Sequence, residues 1–167
     1  YTWQDLIGID RFFKDAQPLK MMTSKRERLD PKARITNQVL NSKLAQIMNG
    51  VGMCLFGLGM GPKTPIFEWL NSATGWNKTP EQYLEVAERI QTLRHSFNFR
   101  EGIKPKDFKM TPRAAGDPPL EAGPHKGVTL DTETARKLFY EAYGWDPETG
   151  KPKKETLEKL GLNEVIK

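Results

Sequence analysis

The sequence predicts a mainly α fold: an irregular helical domain interrupted by a long proline-rich loop. Three observations carry that expectation. Apolar residues recur at helical spacing in several stretches, helix start and stop signals bracket those stretches, and no region alternates with period two over a strand's length. At 167 residues the chain is sized for one domain, with at most a small hairpin.

The elements follow in chain order. Asp30-Pro31 opens the first helix, with Asp as N-cap and Pro in the first turn. Its apolar positions are Ile35, Val39, Leu40, Leu44, Ile47 and Met48, and it is expected to end near Asn49. Thr64-Pro65 repeats the start signal for a short helix that Gly75 stops. Thr79-Pro80-Glu81-Gln82 is a capping box. The helix behind it carries Tyr83, Leu84, Ala87, Ile90, Leu93 and Phe97 on one stripe and ends at Gly102. From about Ile103 to Leu130 the periodicity disappears. Five of the twelve prolines lie there, which reads as a strap across the surface of a larger body. Asp131 caps a further helix through Leu138, Phe139 and Ala142 to Gly144, and a last short one near Lys153–Leu160 stops at Gly161.

Charge narrows the partners. The formal net charge is +5, and the excess is local. Residues 81–167 carry fifteen charges of each sign, whereas Lys25, Arg26, Arg28, Lys32 and Arg34 crowd together. Glu27 and Asp30 interrupt that cluster and no aromatics interleave it, so a solvated face or a contact for an acidic protein is expected and nucleic acid is not. An acidic ferredoxin is a partner such a patch would steer. One cysteine leaves no internal disulfide and no zinc site of several cysteines, and a reducing, cytoplasmic setting is the simplest. The first residue is Tyr1 and no signal peptide opens the chain, so a part of something larger is expected.

Leu44 to Pro62 is uncharged over nineteen residues. A membrane span is not expected, because Gly50, Gly52, Gly57, Gly59 and Gly61, with Gln46 and Asn49, make a poor apolar helix. Two readings of Cys54 stay open on the residues alone. A lone cysteine in an apolar run is ordinarily a buried core residue. A thiolate among glycine-freed backbone amides is also the setting of an iron–sulfur ligand.

Other residues read more simply. His95 and His125 lack any metal-ligand spacing; His95 is expected to be structural and His125 exposed in the loop. Glu81, Glu85 and Glu88 read as the acidic start of a helix. Trp69, Trp76 and Trp145 read as core or interface anchors. Neither a nucleophile elbow nor a phosphate loop occurs.

Several pieces occur in an order that is similar to one known family. Asn49-Gly-Val-Gly-Met-Cys54 resembles the Asp-x-x-Gly-Leu-Cys motif of the tungsten-containing aldehyde ferredoxin oxidoreductases. Downstream, Glu88-Arg-Ile, Leu93-Arg94, Phe97-Asn-Phe-Arg-Glu-Gly102, Pro112-Arg113 and Pro119-Leu120 resemble the same family's C-terminal region. So do Gly123-Pro-His-Lys-Gly127, Tyr143-Gly-Trp-Asp146, Glu148-Thr-Gly150 and Leu157-Glu-Lys-Leu-Gly-Leu162. The match covers residues 31–167 as a C-terminal helical domain, while residues 1–30 match poorly.

The resemblance implies a part of a larger multidomain enzyme. Such enzymes hold tungsten (or molybdenum) between two pterin dithiolenes beside a [4Fe–4S] cluster, oxidise an aldehyde to a carboxylate and pass electrons to ferredoxin. It implies Cys54 as the fourth cluster ligand, Asn49 as a pterin contact in place of the motif's acid, and Gly52 and Met53 as backbone near the same cofactor. The catalytic residues stay unassigned, since no histidine precedes His95. The implied partners are the remainder of the same enzyme and ferredoxin or another electron carrier, with a homodimer among the assemblies allowed. Two alternatives stand beside this: a non-catalytic interaction module derived from the family, and the same part of a tungsten-dependent aromatic-ring reductase.

Overall fold

The computed structural model describes residues 29–54, 56, 65–108 and 110–164. Among these the fold is mainly helical, in the order α1 (Pro31–Gly50), α2 (Ile66–Thr74), α3 (Pro80–Arg100), α4 (Pro112–Ala115), α5 (Thr132–Ala142) and α6 (Lys154–Lys159). Only isolated bridges, Leu120 with Lys126 and Trp145 with Pro152, represent β structure among the described residues.

The caps explain the boundaries. Asp30 Oδ1 accepts from the Lys32 amide at 2.9 Å, and Asp131 Oδ1 accepts from the Thr134 amide at 3.0 Å. Both fill orphan donors of a first turn. At α3 the expected capping box is complete: Thr79 Oγ1 accepts from the Gln82 amide, and Gln82 Oε1 accepts from the Thr79 amide at 2.9 Å. Gly75 closes α2 in the left-handed region at φ 72°. Thr64, the expected cap of α2, lies outside the described residues, as do Gly57, Gly59, Gly61 and most of the basic cluster.

Two apolar centres hold the helices. Leu44, Ile47 and Met48 of α1 meet Ile66 and Phe67 of α2 and Tyr83 and Ala87 of α3. Tyr140, Tyr143 and Trp145 form the second centre, with Val39 of α1 and Phe139 packed on it. α1 thus lies between α3 and α5, with its two halves in different centres. Polar ties lock the crossings: Lys43 Nζ pairs with Glu88 at 2.6 Å, and Arg89 Nε donates to the Leu160 carbonyl at 2.8 Å. Glu88 is therefore a half-buried ion-pair partner, whereas Glu81 and Glu85 are exposed, so the three acids form no paired site.

Residues 103–108 and 110–130 run largely irregularly along the outside, but the expected loop is interrupted by a single 3-10 turn at Pro105–Asp107 and by the short α4. The Leu130 amide donates to the Ala115 carbonyl at 2.8 Å and pins the far end of the strap back on α4. Ile103, Phe108, Met110 and Leu120 are exposed along it, and so is His125. Among the described residues no helix is long and apolar enough to cross a membrane.

Candidate functional site

The end of α1 is built by its own hydrogen bonds. The Gly52 amide donates to the Asn49 carbonyl at 3.3 Å, and the Met53 amide reaches back to the Met48 carbonyl at 3.0 Å. This paired 5→2 and 6→1 pattern is the Schellman terminus, which needs a left-handed residue at its turn. Gly52 supplies it at φ 71°. Met53 then packs on the α1–α2–α3 centre, completing the apolar contact typical of the motif. Cys54 follows directly and is exposed.

Two expectations are corrected here. The core-residue reading of Cys54 fails: the anchor that goes inward is Met53, and the chain turns the thiol out one residue later. The expected free amides are not found at residues 51–53, and Gly57, Gly59 and Gly61 lie outside the described residues. The amides of Val51, Gly52 and Met53 all donate within the turn, to Ile47, Asn49 and Met48. The glycine at 52 is therefore explained by backbone conformation rather than by donors gathered on a ligand.

What the terminus leaves open is space and one thiol. A Cβ built on Gly50 or Gly52 meets nothing within 4 Å, and the Asn49 side chain is exposed on the same turn. Among the described residues no group of three His, Cys, Asp or Glu side chains could hold a metal ion. The donor set fits one ligand to a shared cluster and does not fit a whole cluster, which needs four.

The second motif region, Tyr143 to Gly150, does a different job. α5 ends in the same Schellman pattern, with Gly144 donating to Glu141 O at 2.9 Å and Trp145 to Tyr140 O at 2.8 Å. Here the residue after the glycine is Trp145, only 1% exposed. Asp146 Oδ1 accepts from the Glu148 and Thr149 amides and the Thr149 hydroxyl, which holds its carboxyl below the usual range through the Thr149 amide above all. The tight loop delivers the Gly150 carbonyl to His95, whose Nε2 donates to it at 2.8 Å. A carbonyl only accepts, so Nε2 carries the proton. The imidazole lies flat on Trp145, centroids 3.9 Å apart and planes at 4°. Burial pushes the His95 pKa down, against the pull of the Gly150 carbonyl. His95 is structural, as its sequence context predicts. Burial also raises the Tyr143 hydroxyl to about 12, its bond to Ser42 opposing.

The tryptophans divide. Trp145 is core, whereas Trp69 and Trp76 are about half exposed and stand at most as interface anchors. Sequence reasoning missed the polar link Gln91–Gln46–Arg94. Gln46 is buried; its Nε2 donates to Gln91 Oε1 at 2.7 Å and its Oε1 accepts from Arg94 at 2.8 Å. Gln46 inside an otherwise apolar stretch was the available signal.

Among the described residues the geometry defines a helical domain that presents one exposed thiol at the end of α1. Comparison with known proteins shows the family. The family model "Aldehyde ferredoxin oxidoreductase, domains 2 & 3" matches residues 5–162, and the chain belongs to that family. The tungsten-containing aldehyde ferredoxin oxidoreductase of Pyrococcus furiosus is 34% identical over 134 residues, 78% of this chain and 22% of that enzyme. Its counterpart in Pyrococcus abyssi is 32% identical over 131 residues, 77% of this chain and 21% of the relative. A Pyrococcus furiosus protein named as the WOR-like subunit of an aliphatic sulfonate oxidoreductase is 38% identical over 110 residues, 60% of this chain and 17% of the relative. The chain spans about a fifth of the length of these relatives.

Proposed function

We propose that this chain is a C-terminal part, with its helical domain at residues 31–167 and an N-terminal segment 1–30, of a tungsten (or molybdenum) bis-pterin, iron–sulfur oxidoreductase. The enzyme would oxidise aldehydes to carboxylates and deliver the electrons to ferredoxin or a similar carrier, in the cytoplasm of an anaerobe. The single observation that supports this best is the exposed Cys54 thiol at the α1 terminus of a chain that belongs to the family.

In this reading Cys54 is one cluster ligand and the remaining three come from outside the chain. Asn49 offers its amide oxygen and nitrogen to a pterin edge, and the open flank of Gly50 and Gly52 lets the ring approach the backbone. The bound metal would supply electrophilic and redox chemistry, and the cluster would carry electrons away. The chain's own contribution is mechanical and electrostatic. The Schellman turn fixes where Cys54 sits, and Met53 anchors that turn on the core, so the thiol has little freedom to retreat from a metal. The helix packing around α1 keeps the turn rigid while the thiol stays reachable.

A competing reading is a non-catalytic interaction module, favoured by the amide at Asn49 where the resembled motif carries an acid. Metal analysis of the native protein, purified anaerobically from its source, separates the two. The enzyme reading expects about four irons per protomer together with tungsten or molybdenum. Native protein free of both sinks it. The ligand assignment has its own test: Cys54→Ser in the full-length protein should abolish or reshape the cluster's EPR signal, and an unchanged spectrum removes Cys54 from the ligand set.

A further inference from the structure

Among the described residues, the apolar stripe of α3 is covered over only half its length. At the start, Phe67 of α2 stacks on Tyr83 with ring centroids 5.1 Å apart, and Ala87 is fully buried. Beyond Ile90 the stripe continues as Leu93 and Phe97, at i and i+4 on one face. Leu93 is 38% exposed and Phe97 53%. Fraying does not explain this. The opposite side of the same turns is closed, with Thr92, His95 and Ser96 buried against the Trp145 loop. A firmly held helix therefore turns a regular apolar face outward.

That face is edged by guanidinium groups. Arg100 lies over the Phe97 ring at 4.8 Å and pairs with its neighbour Glu101. Arg94 is exposed and fixed by the buried Gln46 of α1; among the described residues no carboxylate pairs with it. Asn49 and Gly50 follow Gln46 by three and four residues, so they lie one turn further along the same side of α1. The open face of α3 is thus continuous, through Arg94 and Gln46, with the terminus that presents Cys54.

We propose that the Leu93–Phe97 face with Arg94 is the docking surface for the part of the enzyme, outside residues 1–167, that carries the other cluster ligands. The occupant is an apolar surface bearing a carboxylate for Arg94. Two observations point to it. The Pyrococcus furiosus relative runs to about 600 residues, since 134 matched residues make up 22% of it, so a much larger body is available to cover this face. The face also adjoins the one end of the domain whose thiol needs ligands from elsewhere. The choice of occupant rests on the reading of Cys54 given above.

The test places a photoreactive benzoylphenylalanine at Phe97 in the full-length native protein and identifies the crosslinked peptide by mass spectrometry. The expected product joins position 97 to polypeptide outside residues 1–167. In parallel, hydroxyl-radical oxidation of Phe97 should be roughly tenfold slower than in the unfolded protein, as for a side chain sealed in an interface core. A crosslink to a second copy, a crosslink within residues 1–167, or oxidation at the unfolded rate overturns the proposal. The Cys54→Ser EPR experiment reads the ligand assignment separately. An outside crosslink with an unchanged cluster would keep the docking face and discard the ligand.

Discussion

The Gly52 and Gly144 turns share one hydrogen-bond pattern and have opposite surroundings. Each ends a helix with a glycine in the left-handed region, at φ 71° and 68°, and each places an apolar residue next, Met53 and Trp145. After Gly144 the chain folds back on itself. Thr156 Oγ1 donates to the Gly144 carbonyl at 2.7 Å, Trp145 Nε1 faces Thr92 Oγ1, and the Asp146–Gly150 loop closes on His95. After Gly52, Met53 packs inward and the next residue leaves its thiol in the open. The lesson is that a family-specific motif need not be a catalytic one. Gly-Trp-Asp with Thr-Gly organises a core, while the shorter stretch ending at Cys54 is the one left facing outward.

The largest effect that would break this comparison is loss of the Trp145 centre. Trp145→Ala removes a fully buried ring stacked on His95 and packed on Tyr140 and Tyr143. It should lower stability by about 3–5 kcal/mol in chemical denaturation. A loss of under about 1 kcal/mol would mean that the loop is peripheral.

The two glycines then give a matched pair. Gly144→Ala forces a Cβ onto the Thr156 hydroxyl and strains a left-handed residue. It should cost about 2–3 kcal/mol, combining the left-handed penalty with a displaced hydrogen bond. Gly52→Ala meets open space, so only the backbone penalty of about 1 kcal/mol applies. Equal costs, read from denaturation midpoints at constant m, would show that the surroundings do not distinguish the two turns.

Helix punctuation was legible in the sequence because caps are local chemistry. Asp30, Thr79 with Gln82, Asp131, Gly75, Gly102, Gly144 and Gly161 each act within a few residues of where they stand. Coverage was not legible. Periodicity says that Leu93 and Phe97 share a stripe with Tyr83 and Ala87, but not that α2 stops covering it halfway. Trp69 and Trp76 stay ambiguous for the same reason. At Cys54 the apolar neighbours suggested burial, and only the hydrogen bonds of the turn decide that Met53 goes in and Cys54 stays out. A glycine that frees amides for a ligand and a glycine that closes a helix look identical in sequence; Gly52 is the second kind.

Acidification should also separate the two ends. His95 is held neutral by burial, so its folded pKa lies below the ordinary 6.5. Above pH 6.5 both folded and unfolded forms are neutral and the stability is complete. As pH falls below that value the unfolded chain takes up a proton that the folded chain refuses, and stability drops until the folded pKa is passed. Thermal melts of the wild type and His95→Gln across this range should show a slope for the first that the second loses. A slope retained in His95→Gln would assign the acid sensitivity to other groups.

The smallest stability change is expected at Cys54, the residue on which the proposed function rests most. Cys54 is exposed, its turn is closed by the backbone of Val51, Gly52 and Met53, and the anchoring side chain belongs to Met53. Cys54→Ser in metal-free protein should therefore move stability by less than about 0.5 kcal/mol, the range of ordinary surface substitutions. The metal shared with other polypeptide that the proposal assigns to Cys54 would change this. Binding to the folded state alone adds stability by mass action, so the same substitution should lower the melting temperature of metal-loaded enzyme by several degrees while leaving the metal-free form alone. Comparing loaded with metal-free protein isolates what the thiol contributes to a ligand from what it contributes to the fold. A substantial loss in the metal-free form would make Cys54 a packing residue after all and erase its contrast with the Gly144 turn.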